Sequence, residues 1–197
     1  SFFFRINDVP VFIKGANYIP QNSFLTKVSE VDYKNLIKSA VDANMNMLRV
    51  WGGGIYENDI FYNLCDENGI MIWQDFIFAC NMYPGDYAFL ENVRDEAIDN
   101  VKRLRNHPCI ALWCGNNEVD EGWKNWGWQD QFNYSEEQCD NIWTSYQSIF
   151  YRLLPSIIKK FDAETPYWPS SPKHGWGHEE SMTEGDSHYW GGWWGEE

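Results

Sequence analysis

No apolar run in this chain approaches the roughly 20 residues that a membrane-spanning helix needs, and the amino end, Ser1-Phe2-Phe3-Phe4, has neither the charged start nor the cleavage pattern of a secretory leader. Basic side chains are scarce. Lys and Arg number 15 against 29 Asp and Glu, for a formal net charge of -14. That balance argues against nucleic acid and anionic membranes as partners, because both are bound mainly by Lys and Arg facing phosphate. A neutral or cationic substrate suits it better. The cysteines Cys65, Cys80, Cys109, Cys114 and Cys139 form an odd set without metal-ligand spacing. They read as reduced, mostly buried thiols. Two further stretches are set aside. Gly52-Gly53-Gly54 has neither the glycine spacing nor the following Lys-Ser or Lys-Thr of a phosphate loop and reads as a turn. His174, His178 and Glu179 lie among glycines with no helix to align them, which predicts a mobile surface loop rather than a metal site. No cofactor and no metal is expected.

What the chain does contain is a regular alternation of strand and helix patterns, in a length that suits one ordinary domain with a real core. Phe2–Ile6 and Val11–Lys14 flank Asn7-Asp8 and predict a hairpin entering a first buried strand that runs into Gly15-Ala16-Asn17. Ser29 with Asp32 marks a helix start, and Leu36, Ile37, Ala40 and Val41 form its apolar stripe. Met45–Trp51 is the second strand. A short helix through Ile60, Phe61, Leu64 and Cys65 ends at Gly69, and Ile70–Phe76 is the third strand. A helix carrying Phe89, Val93, Ala97, Val101 and Leu104 stops before Asn106-His107-Pro108. Cys109–Glu118 is the fourth strand with its exit. Ser135 and Gln138 open a long helix through Ile142, Tyr146, Ile149, Leu153 and Ile157, ending before Thr165-Pro166. Tyr167–Ser170 and Asp186–Trp190 read as fifth and sixth strands. This order gives right-handed crossovers and a parallel sheet. An eight-stranded barrel typically takes about 250 residues, so the pattern is an α/β fold, a partial (β/α)8 TIM barrel of roughly strands 1 to 6 with an N-terminal β-hairpin. A small open α/β sheet is the alternative.

The ends of these strands carry an inventory unusual for a core. Arg49 and Trp51 close the second strand, Trp73 and Asp75 the third, Asn117 and Glu118 the fourth, and His188, Tyr189 and Trp190 lie on the sixth. In a parallel barrel they converge on the rim that holds the chemistry. Glycosidic cleavage needs a proton on the leaving oxygen, and a glutamic acid in a partly desolvated pocket can hold its proton near neutral pH. Indole and phenol rings suit the apolar faces of sugars, and Trp51, Trp126 and Trp190 are the stacking candidates. Each residue also has a plainer reading. Trp51 can be barrel filling, Glu118 can be a first-turn acid of the next helix, and Arg49 can pair with Asp75 inside the barrel.

Four stretches, taken in order and spacing, resemble the β-mannosidase branch of glycoside hydrolase family 2. They are Gly15-Ala16-Asn17-Tyr18-Ile19-Pro20, Leu48-Arg49-Val50-Trp51-Gly52-Gly53-Gly54-Ile55-Tyr56-Glu57, Met71-Ile72-Trp73-Gln74-Asp75-Phe76 and Leu112-Trp113-Cys114-Gly115-Asn116-Asn117-Glu118. The Asn-Glu pair is shared by many retaining barrel glycosidases, whereas the Arg-Val-Trp-Gly-Gly-Gly run is far more specific. Tyr167–Pro172 and Gly185–Gly191 continue the resemblance over nearly the whole chain.

The resemblance implies a retaining, exo-acting hydrolase that removes terminal β-D-mannose from mannosides and manno-oligosaccharides. Glu118 would be the general acid and base, Asn117 would bond the hydroxyl beside the reacting carbon, and Trp51 would floor the mannose subsite. Trp126 would border the pocket, with His188, Tyr189 and Trp190 as its far wall. The family's nucleophile lies on strand seven in a Ser-Glu-Phe-Gly-like motif, which does not occur here, and Glu196 and Glu197 lack its context. Residues 1–197 are therefore expected to be the N-terminal part of the catalytic domain, without strands 7 and 8 or the flanking β-sandwich domains, and to be inactive alone. Exposed strand edges predict self-association. The rival readings are a relative acting on β-galactosides or β-glucuronides and a noncatalytic carbohydrate-binding domain. Cytoplasm, periplasm and a degradative organelle such as the lysosome fit alike.

Overall fold

The computed structural model describes residues 2–194. Two antiparallel strands, β1 (Phe4–Ile6) and β2 (Val9–Val11), open the chain. Asn7 and Asp8 between them both have positive φ, 49° and 64°. Two such residues match the twist of the flanking strands, and Asn and Asp tolerate that region better than other non-glycine residues. Five parallel strands follow in chain order: β3 (Gly15–Tyr18), β4 (Met47–Val50), β5 (Met71–Asp75), β6 (Ile110–Cys114) and β7 (Tyr167–Trp168). The crossovers carry α1 (Glu30–Asp42), α2 (Asp59–Asn68) and α3 (Tyr87–Leu104), then α4 (Val119–Asn125), α5 (Trp128–Gln131), α6 (Glu136–Gln147) and α7 (Leu154–Phe161). Among the described residues no helix is long and apolar enough to cross a membrane.

The helix starts are set by the expected side chains. Ser29 accepts from the Asp32 N–H while Asp32 accepts from the Ser29 N–H, and Ser135 with Gln138 repeats the arrangement. Each reciprocal pair satisfies two amides that the first turn leaves without intrahelical partners. Gly69, at φ 68°, ends α2 in the left-handed conformation. Between α6 and α7 one wide π turn spans Ser148–Leu153. Pro155 accounts for it: proline cannot donate to the preceding turn, and its ring crowds the carbonyl four residues back. The Leu154 N–H reaches Ile149 O, and the freed Phe150 carbonyl accepts from the Tyr167 hydroxyl at 2.7 Å.

Alternation along the strands separates two apolar clusters. Leu48, Val50, Ile72 and Trp113 face the helices and join the larger cluster with Ile37, Val101, Ile149 and Ile157. Met47, Trp73, Leu112 and Cys114 form a smaller one on the opposite face, where Phe2, Phe4 and Trp168 pack on them. The hairpin thus covers one end of the sheet's inner face. The fold is a mixed α/β structure with a parallel five-stranded sheet, of the partial-barrel kind.

The expected sixth strand does not form. Asp186–Trp190 has no backbone ladder partner among the described residues. Its side chains are engaged instead, Asp186 on Trp168 and Ser171, and His188 on Glu118, Arg49 and Ser171. The alternating polar and aromatic pattern that reads as a strand here serves a segment tied down through its side chains. Tyr167–Ser170 shortens to the two residues of β7, and the sheet has five strands where six were expected.

Candidate functional site

The polar cluster at the carboxyl ends of β4, β5 and β6 is organised around Asp75, which is fully buried. It accepts from Arg49 Nε at 3.2 Å and Nη2 at 2.8 Å, from Trp73 Nε1 at 2.9 Å and from the Gly52 N–H at 2.9 Å. Burial drives the Asp75 carboxyl above its ordinary value, while the Arg49 guanidinium and the other donors pull the opposite way. Gly52 reaches this bond because it has no side chain: a Cβ there would lie 2.3 Å from the Phe78 carbonyl oxygen. The paired reading of Arg49 and Asp75 holds. Arg49 also donates from Nη2 to Asn117 Oδ1 at 3.0 Å, which points the Asn117 amide nitrogen toward Glu118 Oε2 at 3.2 Å and Cys80 Sγ at 3.3 Å.

Beyond β6 the segment Asn116-Asn117-Glu118 is clamped from both sides. The Asn117 N–H donates to Phe78 O and the Glu118 N–H to Ser171 O, while the Cys80 N–H donates to Asn117 O and the Ser171 N–H to Asn116 O, each at 2.9 Å. Asn116 is buried and structural, accepting from the Val119 N–H at 3.0 Å and from the Ser170 hydroxyl at 2.8 Å. It supplies the first-turn bond for α4 that Glu118 does not make. Glu118 occupies the position before α4 with φ 60°, yet makes no side-chain cap bond. The plainer reading of it as a first-turn acid therefore fails, because its carboxylate turns away from the helix into the cleft.

That carboxylate is 13% exposed. Oε1 meets His188 Nδ1 at 2.8 Å, and Oε2 lies 3.5 Å from Cys80 Sγ as well as near Asn117. Burial pushes the Glu118 carboxyl up, but the bond and charge of His188, then Cys80 and Asn117, outweigh it and leave the group below its ordinary value. The sequence-based expectation of a retained proton is not met by these neighbours.

Glu118 borders a small hollow of about 180 Å³ whose walls include Glu121, Trp126, Trp176 and Trp190. His188 and Trp190 also line an adjoining hollow of about 420 Å³ with Asn17, Arg49, Trp73 and Tyr189. Trp176 meets Tyr189 edge to face at 5.5 Å between centroids. The structure therefore brings together Glu118, Asn117, Arg49, Asp75, Trp126, His188, Tyr189 and Trp190. Trp51 lines neither hollow. Its ring folds over Gly53, where an added Cβ would meet it at 1.9 Å. A larger hollow of about 590 Å³ lies between the hairpin and the sheet, with mostly apolar walls formed by Phe2, Phe4, Leu112 and Trp168 and with Arg5 as its charged residue.

Sequence reasoning missed Cys80, Ser171 and Asp186. Of the five thiols expected to be mostly buried, Cys65, Cys109 and Cys114 are buried and Cys139 is partly so, but Cys80 is exposed at the cleft. The signal available for Ser171 was its place after a strand and before Pro172. His174 lies 3.6 Å from Glu184. Among the described residues no cluster of His, Cys, Asp and Glu could hold a metal ion.

A parallel α/β sheet that gathers arginine, asparagine, glutamate and histidine where its strands end defines a partial barrel with a polar, indole-lined cleft. No family model matches the chain. It is 46% identical over 175 residues to the β-mannosidase of Bos taurus, an alignment covering 89% of this chain and 20% of that protein. The crystal structure of the β-D-mannosidase from Dictyoglomus thermophilum matches with a TM-score of 0.87 and 52% identity, over 99% of this chain and 23% of that one. A β-glucuronidase of Bacteroides uniformis, 16% identical with a TM-score of 0.68 over 82% of this chain and 18% of its own, shares the fold. Over nearly its whole length the chain is thus similar to one segment of β-mannosidases, in keeping with the resemblance to glycoside hydrolase family 2. It spans about a fifth of the length of the curated relatives it matches.

Proposed function

We propose that this chain supplies the acid/base half of a retaining glycoside hydrolase site that cleaves terminal β-D-mannose. The observation that carries the reading is the Glu118 carboxylate, turned away from α4 and held at the edge of an indole-lined hollow. In the first step Glu118 gives its proton to the glycosidic oxygen as the bond to the anomeric carbon breaks. In the second its carboxylate takes a proton from the water that attacks the glycosyl intermediate. A carboxylate nucleophile about 5 to 5.5 Å away is needed for the intermediate. Asp75 and Asp186 are both committed to donors, Asp75 to Arg49, Trp73 and Gly52, and Asp186 to Trp168 and Ser171. The nucleophile is therefore assigned to the strand-seven motif of the family, which these residues do not contain. Its negative charge would also raise Glu118 from the low value its present neighbours give it, since like charges oppose ionisation.

Asn117 suits the sugar hydroxyl next to the reacting carbon. Its Oδ1 is held by Arg49 and its amide nitrogen faces the cleft. Trp126, Trp190 and Tyr189 offer ring faces to the sugar, with His188 beside them. The floor role of Trp51 rests on the resemblance alone.

The test is hydrolysis of aryl β-mannosides by the protein that carries this segment, compared with the β-galactoside and β-glucuronide. Glu118→Gln is expected to lower kcat/KM about 100- to 10,000-fold on a poor leaving group, and much less on dinitrophenyl mannoside, which departs without a proton. Equal losses on both leaving groups would remove Glu118 from the acid role. Faster turnover of another glycoside would replace mannose, and no turnover of any would leave a carbohydrate-binding domain.

A further inference from the structure

His188 lies outside the regular sheet and still reaches three of the site's residues. Its Nδ1 faces Glu118 Oε1 at 2.8 Å, and its Nε2 faces Arg49 Nη1 at 3.3 Å and Ser171 Oγ at 3.0 Å. The guanidinium has only protons to offer, so the Nε2 beside it is the acceptor and the ring proton sits on Nδ1. The Ser171 hydroxyl donates to Asp186 Oδ2, which in turn accepts from Trp168 Nε1 at 2.9 Å. Arg49 therefore holds the ring nitrogen remote from Glu118, with the Ser171 oxygen packed beside it.

We propose that His188 is a positioning residue for the proton transfer: its Nδ1–H holds the Glu118 carboxylate, and Arg49, donating to Nε2, keeps the ring in the tautomer that can donate. The inference rests on the reading of Glu118 as the acid and base. A donor fixed on Oε1 favours the ionised carboxylate, so it strengthens Glu118 as an acid in the first step and weakens it as a base in the second. It also leaves Oε2, with only the longer contacts of Asn117 and Cys80, as the oxygen that meets the leaving group.

The other charged and titratable groups around this pair are Arg49 on β4 with Asp75 behind it on β5, Cys80 after β5, Glu121 on α4, and Asp186 and Tyr189 beside His188. None of these groups is altered in a His188 variant, so a change in the profile on replacing His188 is read against an unchanged set of neighbours.

The experiment compares His188→Leu with His188→Asn in the protein that carries this segment, following kcat/KM for an aryl β-mannoside against pH. Loss of the donor is expected to move the basic limb, which reports the protonated acid, upward by about one pH unit. Asparagine, whose side-chain nitrogen takes the place of Nδ1, is expected to restore the limb. An unmoved limb in His188→Leu, or equal displacement in both variants, overturns the proposal. Carbon-13 titration of the Glu118 carboxyl in the same variants reads the bond without turnover. An upward shift in His188→Leu alone supports the contact even if the protein hydrolyses no mannoside, and no shift overturns it.

Discussion

Arg49 serves three neighbours at once: both oxygens of Asp75, the amide oxygen of Asn117 and the imidazole of His188. Removing its charge would leave Asp75 buried and facing only the Gly52 and Trp73 donors, and uncompensated buried charges of this kind cost about 3 to 5 kcal/mol. Arg49→Met is accordingly expected to lower the urea unfolding free energy by about that much, and Arg49→Lys to recover only part of it, since an ammonium cannot span both carboxylate oxygens. The site was legible at this scale wherever one residue type implied another. Arg49 and Asp75 could be paired on paper because a buried cation needs an anion and both close neighbouring strands. Cys80 and Ser171 could not, because a thiol and a hydroxyl are common in cores and loops alike, and only the folded backbone brings them to Glu118 and His188.

Among the elements, those with local causes were readable in advance. The two reciprocal caps, the left-handed end of α2 and the apolar stripe of α3 depend on residues three or four apart and form as expected, while the α1 stripe turns slightly, burying Tyr33, Ile37 and Ala40 and leaving Val41 exposed. Gly69 isolates one such cause. A Cβ there would meet nothing within 4 Å, so only its φ of 68° opposes a side chain. Gly69→Ala is expected to cost about 1 kcal/mol in thermal or urea unfolding, with cleft chemistry unchanged; a loss several times larger would mean that packing is involved. The elements that depend on distant partners were not legible. The π turn before Pro155 is completed by Tyr167, and Asp186–Trp190 forgoes a strand because Trp168, Ser171, Arg49 and Glu118 hold its side chains.

Over the whole molecule, the sheet presents two edges: among the described strands β3 pairs only with β4, and β7 only with β6. Phe12 and Ile19, which flank β3, are exposed. Unpaired backbone of this kind is a template for pairing with another chain. We therefore expect the 197-residue chain to self-associate, with sedimentation velocity showing species above the monomer that grow with concentration. A single monomeric boundary at all concentrations would contradict this. The succession of parallel strands and crossing helices was readable as far as β7 from hydrophobic period and helix-end signals, whereas the cleft was readable only as a set of strand ends. One local feature acts at this same scale. Glu118 is a non-glycine residue at φ 60°, and such a conformation costs on the order of 1 kcal/mol or more that the surrounding clamp must offset. Glycine or asparagine would occupy this backbone conformation at less cost, so persistence of the fold alone does not account for a glutamate here.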